Sequence, residues 1–319
     1  MTASGLAVTP ERNENVPLGI ACMIGASLMF AISAAIMKVE VARLPLGEVM
    51  AGRSLTSLAV AALIVLPMTG LSVFSTRIPR AHLARGCSQA VSQTFTVIAL
   101  WFMPLAGAVA IGFSAPLFAA LIAILFLHER ADGPRFAALG AGFLGVLIVT
   151  RPGADSVQIG ALFALMNAVM YGSVTVAVRG MTKTESTLTL LMWQLAVVGV
   201  AHAALLVFGF RLPAAADAGL LVASGVANVA AQALWTRALR LGPTAAVSPF
   251  YYLMLVWALA IGFLVWGDKP APSLIAGSAI VVGAGLALLL RETRGAAAAE
   301  RRMVDRFGLS RWPRARSLD

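Results

Sequence analysis

Across 319 residues, 60% are hydrophobic and 12% charged, with a net charge of +10 and a mean hydropathy of +0.88. A water-soluble globular protein of this size does not reach those values, so a soluble enzyme is excluded first. Crossing a hydrocarbon layer about 30 Å thick takes roughly 20 apolar residues, so the chain has room for about ten helices and only short connections.

The first 17 residues are polar and mixed in charge, with Glu11, Arg12 and Glu14, and Pro17 stands just before the first apolar run. They lack the basic start, short apolar core and small-residue cleavage site of a signal peptide, so the first segment is expected to stay. Apolar runs bounded by charges, Pro or Gly then predict spans over 18–37, 46–66, 82–103, 105–127, 134–150, 158–178, 187–208, 218–239, 244–266 and 273–290. Pro104 divides the third from the fourth, and Leu241-Gly242-Pro243 the eighth from the ninth; unsplit, either pair is too long for one crossing. The expected class is an all-α integral membrane protein with ten transmembrane helices.

Orientation follows from the Lys and Arg residues. The side of the N-terminus collects Arg12, Arg77, Arg80, Arg85, Arg130, Arg135, Arg179, Lys183, Arg237, Arg240 and the arginines from Arg291 onward. The other side holds only Lys38, Arg43, Arg151, Arg211 and Lys269, and Arg53 lies within a span. Positive loops stay in the cytoplasm, which predicts an inner or plasma membrane protein with both termini cytoplasmic. Because the positive excess borders spans or sits in the tail 291–319, it argues for membrane lipids as partners and against nucleic acid. In that tail Phe307 and Trp312 interleave with arginines; its composition suits a solvated, disordered segment, and contact with anionic lipid is the alternative.

Chemistry on a substrate finds little support. Cys22 and Cys87 stand alone in apolar segments, and His82, His128 and His202 fall in different segments. No disulfide framework, metal-ligand spacing, phosphate-binding loop or nucleophile elbow is present in the sequence, so no catalytic residue, cofactor or metal is expected. Movement of a small molecule is the better expectation.

Sliding the chain against itself exposes a duplication. Gly86, Gln89, Gln93, Ala99, Leu100, Pro104, Ala106 and Glu129 align with Gly225, Asn228, Gln232, Ala238, Leu239, Pro243, Ala245 and Asp268 at one constant offset without a gap. A slightly longer offset pairs Gly19, Met29, Phe30 and Lys38 with Gly160, Met170, Tyr171 and Arg179. The division is then 1–17 as an N-terminal segment, 18–150 and 158–290 as five-helix repeats, and 291–319 as a basic cytoplasmic tail. Five is odd, so the second copy enters the membrane from the opposite face. Inverted repeats of this kind place a binding site near mid-depth between the halves and give access to each side in turn.

The residues that carry the repeat also resemble the EamA-domain transporters of the drug/metabolite transporter superfamily. Phe113-Ser-Ala-Pro-Leu-Phe118 running into His128-Glu129-Arg130 resembles the family's fourth helix and its terminal acidic residue, and Gly140, Gly142 and Gly145 its Gly-rich fifth helix. Ser248-Pro249-Phe250-Tyr251-Tyr252 through Gly267-Asp268 is similar to the ninth-helix pattern, with Asp268 where many relatives have Glu. The resemblance implies export of a small polar or zwitterionic metabolite. Substrates across the superfamily include amino acids, nucleosides, sugars, flavins and S-adenosylmethionine-like compounds, and the Ser-Pro-Phe-Tyr-Tyr stretch is most similar to branches linked to cofactor-type metabolites. Import of such a cofactor is therefore the alternative. A membrane scaffold or an integral-membrane enzyme is the alternative from another class.

Polar residues in membrane helices mark faces turned from lipid. Gly86, Gln89 and Gln93 share a face of span three at i, i+3, i+7 spacing, and Gly225, Asn228 and Gln232 repeat it on span eight. These amides either line a pathway or tie helices together. Arg53 would cost about 3 kcal/mol or more inside a span unless it snorkels, pairs or holds an anionic substrate group. Its pairing with Glu48, five residues earlier on the same helix, is poorly spaced. Asn167 with Tyr171 on span six, Gln194 on span seven and Tyr252 on span nine complete the candidate pathway. Trp101, Trp235 and Trp266 read as interface anchors. Pro116 and Pro249, inside spans four and nine, are candidate hinges or fixed kinks. Small-residue faces at 138–142 and 279–283 suit close helix contact within the chain or a homodimer. All the acidic residues fall in loops, tails or near span ends, Glu48 closest to an exception, so no mid-membrane proton relay is expected.

Overall fold

The computed structural model describes residues 15–126, 133–150, 155–181, 185–208, 213–241 and 244–306. Among them every regular element is a helix. The predicted Glu129 motif and the turns at Arg151, Arg211 and Gly242-Pro243 lie outside these residues, as do 307–319 with Trp312.

Helix α1 (Val16–Val41) opens on Asn15, whose side chain accepts the Leu18 amide at 3.0 Å, with Pro17 in the first turn. It is followed by α2 (Leu46–Thr69), a 3-10 turn (Gly70–Phe74), α3 (Pro79–Phe102), α4 (Leu105–Gly112), α5 (Ala115–Phe126), α6 (Gly133–Thr150) and α7 (Asp155–Met181). The second half continues with α8 (Thr187–Ala204) and a 3-10 turn (Leu205–Phe208), α9 (Ala215–Leu241), α10 (Thr244–Val247), a 3-10 stretch (Ser248–Tyr252), α11 (Leu253–Trp266) and α12 (Pro272–Arg306).

Ten crossings are expected from hydropathy, and seven stretches among the described residues are long and apolar enough to cross a membrane. Helix α3 is absent from that set because Arg80, His82, Arg85, Gln89, Ser92 and Gln93 dilute its apolar content. Large apolar side chains such as Leu63, Met68, Val207 and Leu264 are exposed on the outside of the bundle, where lipid would meet them.

Three sequence expectations shift. Helix α1 runs four residues beyond the predicted end at 37, which brings Lys38 and Glu40 onto the helix. Lys38 donates to the Met103 carbonyl at 2.7 Å and lies 5.6 Å from the Trp266 ring centre, so it covers the end of α3 instead of standing in a loop. Helix α12 passes 290 and continues to Arg306, so the first half of the expected disordered tail is helical. The run Ala296 to Ala299 has the strongest helix propensity available. Finally, Pro116 and Pro249 do not bend continuous helices. Pro116 is the second residue of α5, after a break at Phe113-Ser114, and Pro249 sits in the first turn of the 3-10 stretch. Having no N–H, proline is tolerated at a helix start, and Ser114 at the break donates both its amide, at 2.9 Å, and its hydroxyl, at 2.6 Å, to the Ile111 carbonyl.

Helix α1 packs on α9 and α3 on α7; α2 packs on both α8 and α9, and α3 also on α8. Helix α11 lies on α1, α4 and α5 lie on α7, and α6 lies on α12. Glycines set the closest approaches. A Cβ on Gly86 would come within 2.5 Å of Val197, and one on Gly225 within 2.7 Å of Thr56. Gly19 abuts Leu241 and Gly160 abuts Phe102 in the same way. Gly145 and Gly277 bring α6 and α12 into backbone contact, so the small-residue faces are partly used within the chain. The largest core cluster, which includes Met37, Met50, Leu100, Leu105, Ile111 and Phe113, fills the space where α1, α2, α3 and α4 meet.

Candidate functional site

Arg53, only 8% exposed, projects from α2 between α3 and α9. Its Nη1 donates to Gln93 Oε1 at 3.3 Å and its Nη2 to Asn228 Oδ1 at 2.7 Å. Asn228 Nδ2 donates in turn to Ser57 Oγ at 3.2 Å, and that hydroxyl donates to the Gly225 carbonyl. The side chain is possible here because Gly225 lets α9 approach α2 closely. Arg53 is therefore held by amides from two other helices, and the snorkelling and Glu48 readings give way to this one. On the next residue, Ser54 Oγ is 2.7 Å from His202 Nδ1, and His202 Nε2 is 3.2 Å from the Ala90 carbonyl. A carbonyl only accepts, so Nε2 carries the proton, and in the neutral ring Nδ1 accepts the Ser54 hydroxyl. His202 thereby stitches α8 to α2 and α3.

A second polar layer lies toward the other end of α3. Arg85 Nη1 donates to the Leu190 carbonyl at 2.9 Å and Nη2 to Gln194 Oε1 at 2.5 Å. Below it His82 stacks on Trp193 with centroids 5.2 Å apart and approaches Glu185 at 3.9 Å, while Thr76 donates to Glu185 at 2.6 Å. Arg85 and Gln93 are eight residues apart on α3, so the two arginine layers stand about 12 Å apart along the helix.

Tyr171, on α7, interacts electrostatically with Arg85 and with Tyr251, and 46% of it is accessible. One turn away on α7, Asn167 accepts the Ser92 hydroxyl at 2.6 Å, which ties α7 to α3.

The other expected residues are placed as follows. Gln89 is buried one turn from Gln93, and Gln232 is half-buried one turn from Asn228, outside the Arg53 network among the described residues. Tyr252 is a packing residue more than an open surface: its ring lies 4.9 Å from that of Phe113 and its hydroxyl abuts Gly285. Trp101 and Trp235 are exposed at helix flanks. Sequence reasoning passed over Arg85, counted as a loop charge, and Glu40, counted as a span-end acid. Glu40 is 0% exposed and accepts the Ser224 hydroxyl at 2.8 Å. The one available signal was the equivalence of Ser224 and Arg85 within the repeat.

The Ser54–His202 pair is buried and its ring is held by a backbone carbonyl, so it serves packing, and no group of three or more His, Cys, Asp or Glu among the described residues can hold a metal ion. What the arrangement offers is buried charge and amide hydrogen bonds between helices.

Comparison with known proteins agrees. The EamA-like transporter family model matches twice, over residues 17–151 and 158–291. A riboflavin transporter of Rhizobium johnstonii is 31% identical over 226 residues, spanning 70% of this chain and 75% of its own. A pseudopaline exporter of Pseudomonas aeruginosa is 28% identical over 275 residues, 85% of this chain and 95% of its own. An S-adenosylmethionine uptake transporter of Rickettsia conorii is 22% identical over 225 residues, 70% of this chain and 76% of its own. A protein crystal structure superposes with a TM-score of 0.61 at 21% identity, covering 88% of this chain and 99% of that one, which shows the shared fold. With apolar helices, two family matches along its length and relatives named as transporters, the chain belongs to the EamA-like transporter family, as a multi-pass membrane protein and not an enzyme.

Proposed function

We propose that the protein is a secondary transporter of the cell inner membrane, with both termini cytoplasmic, that exports a small polar or zwitterionic organic metabolite by alternating access. The observation that carries this reading is the pair of buried arginine layers about 12 Å apart along α3, a separation that suits a small metabolite, with the accessible Tyr171 electrostatically tied to Arg85. Each layer ties helices across the halves, Arg53 joining α2 to α9 and Arg85 joining α3 to α8.

Contacts between the halves support an inverted repeat of five crossings each. Under the sequence offsets, α1 on α9 exchanges with α7 on α3, and α2 on α9 exchanges with α8 on α3. The glycine contacts exchange as well: Gly86 with Val197 becomes Gly225 with Thr56, and Gly19 with Leu241 becomes Gly160 with Phe102. Phe113 and Tyr252 are equivalents that touch each other, as residues beside a two-fold axis must. Both mark breaks in their helices, and discontinuous helices at matching positions are where such carriers bind substrate. In this reading Gln89, Gln93, Gln232 and Asn167 line the cleft and the breaks before Pro116 and at Pro249 act as hinges.

A counterflow panel in proteoliposomes containing only this protein tests the proposal, with exchange of at least one compound expected; its absence for every compound would overturn it. Import of a cofactor-type metabolite is the second reading, favoured by the names of the riboflavin and S-adenosylmethionine relatives and by the aromatic wall of Tyr171, Tyr251 and Phe113. Uptake of labelled riboflavin or S-adenosylmethionine into expressing cells separates the two.

A further inference from the structure

Glu40 sits in the last turn of α1 with no accessible surface. Its Oε1 lies 2.8 Å from Ser224 Oγ on α9, and its Oε2 is buried with no hydrogen-bond partner among the described residues. A carboxylate in that position is costly unless paired. The charge that acts on it is Arg53, yet the two terminal nitrogens of Arg53 are committed to Gln93 and Asn228, and its Nε has no partner. Their partners Ser224 and Asn228 are one turn apart on α9, so a buried acid and a buried base stand near each other, each held by neutral groups.

The hydroxyl of Ser224 explains how. Ser224 Oγ is 2.8 Å from Glu40 Oε1 and also 3.1 Å from the Leu221 carbonyl. A hydroxyl has one hydrogen, so Ser224 shares it between the two oxygens and gives neither a full hydrogen bond. A proton on Glu40, donated to Ser224 Oγ, would free the hydroxyl hydrogen for Leu221 and turn both contacts into full bonds. The Ser224 backbone carbonyl is fixed by Ser33 Oγ at 3.0 Å, so the site is built and not incidental.

We propose that Glu40 is a proton-binding group that couples transport to proton movement; this rests on the transporter reading. A proton from the cleft adds to the carboxylate, giving the acid that bonds Ser224, and leaves Arg53 on Gln93 and Asn228. Loss of the proton returns a carboxylate beside the guanidinium, which then turns from its amide partners to Glu40 and releases α3 and α9. One proton thereby decides whether α2 is tied to the opposite half. The ionisable groups of the surrounding elements are few. Helix α2 brings Arg53 and Glu48, and α9 brings Asp217, engaged by Arg43 at 3.6 Å, with Arg237 and Arg240 more than three turns beyond Ser224; α3 brings Arg80, His82 and Arg85 near its start. On α1 itself Lys38 is held by the end of α3, and the 3-10 stretch adds Tyr251 and Tyr252. Helices α4, α10 and α11 contribute none.

The test uses the full chain in proteoliposomes and Glu40→Gln, which keeps the bond to Ser224 and cannot titrate. Infrared difference spectra between alkaline and acidic buffer should contain a carboxylic acid stretch in the wild type that is lost in Glu40→Gln. With riboflavin and S-adenosylmethionine as probes, an imposed pH gradient should raise wild-type flux several-fold. Glu40→Gln should lose that stimulation and slow counterflow at equal pH several-fold, because it holds Arg53 on its amides as the protonated acid does, while expression and melting in detergent stay at wild-type values. A stretch that persists in Glu40→Gln, or gradient-driven flux equal to wild type, overturns the proposal. Should Glu40→Gln fail to fold, Ser224→Ala keeps the acid and removes its partner; an unmoved titration midpoint there refutes the site. Lack of any counterflow in the wild type would instead refute the transporter reading, and the infrared titration would still decide on Glu40.

Discussion

Replacing Arg53 by Met removes the guanidinium while keeping an unbranched apolar stem of similar reach. Two interhelical hydrogen bonds disappear, a short one to Asn228 at 2.7 Å and a long one to Gln93 at 3.3 Å. Such bonds inside membranes average about 0.6 kcal/mol and reach about 1.7 kcal/mol. Assigning the upper figure to the short bond and the mean to the long one gives about 2 kcal/mol, or roughly a 30-fold shift in any equilibrium that makes and breaks this layer. The layer lies toward the end of the bundle where α1 ends and α2 begins, so its loss should favour the state open at that end. In a background with Cys22 and Cys87 replaced, Tyr171→Cys reports on this through its rate of modification by a membrane-impermeant thiol reagent. The rate from the side of the α1–α2 turn should rise about 30-fold with Arg53→Met and fall from the other side, while membrane insertion is unchanged and transport slows. Equal rates with and without Arg53, at normal expression, would mean that the layer is static glue and that the gating argument is wrong.

Arg85→Met should do the converse, raising modification of the same cysteine from the opposite side of sealed vesicles by roughly tenfold, since its two bonds both end on α8. Tyr171→Ala should raise the KM for transported substrate by up to about tenfold, the worth of an aromatic contact, and Tyr171→Phe by much less, measured as initial flux against concentration. Gly225→Val should cost about 1–3 kcal/mol or more, because a Cβ there meets Thr56 at 2.7 Å and the Arg53 carbonyl at 2.9 Å. Gly140→Ala, with nothing within 4 Å, should leave the melting temperature in detergent unchanged. Equal melting of the two variants would contradict the packing described.

Much of this was readable before any coordinates, and the reason is that membrane helices write polarity sparsely. Gln93 and Asn228 stand out in apolar runs, repeat in register, and meet at Arg53. Their convergence could not be read, because Arg53 is separated from them by 40 and 175 residues and local spacing carries no such information. Glu40 was hidden for a different reason. A hydropathy run stops at the first charge, here Lys38, whether or not the helix continues, so a buried acid two residues on is assigned to a loop. Arg85 was discounted by the same logic at the start of α3. The prolines were legible as interruptions, but sequence alone does not say whether a proline bends one helix or starts the next. Here each proline falls in the first turn of a new element, Pro116 in α5 and Pro249 in the 3-10 stretch, so both start a segment.

Helix α3 bears on how the protein is made. Its arginines, histidine and glutamines leave it too polar to partition into lipid by itself, and Gln93, Arg85 and Ser92 find partners on α2 and on α8 and α7, which are translated later. The insertion machinery must therefore retain α3 beside its own channel until the second half emerges from the ribosome. A truncation after the first repeat should leave a segment that slips out of the bilayer and is degraded, so the two halves are co-dependent in biogenesis as well as in operation.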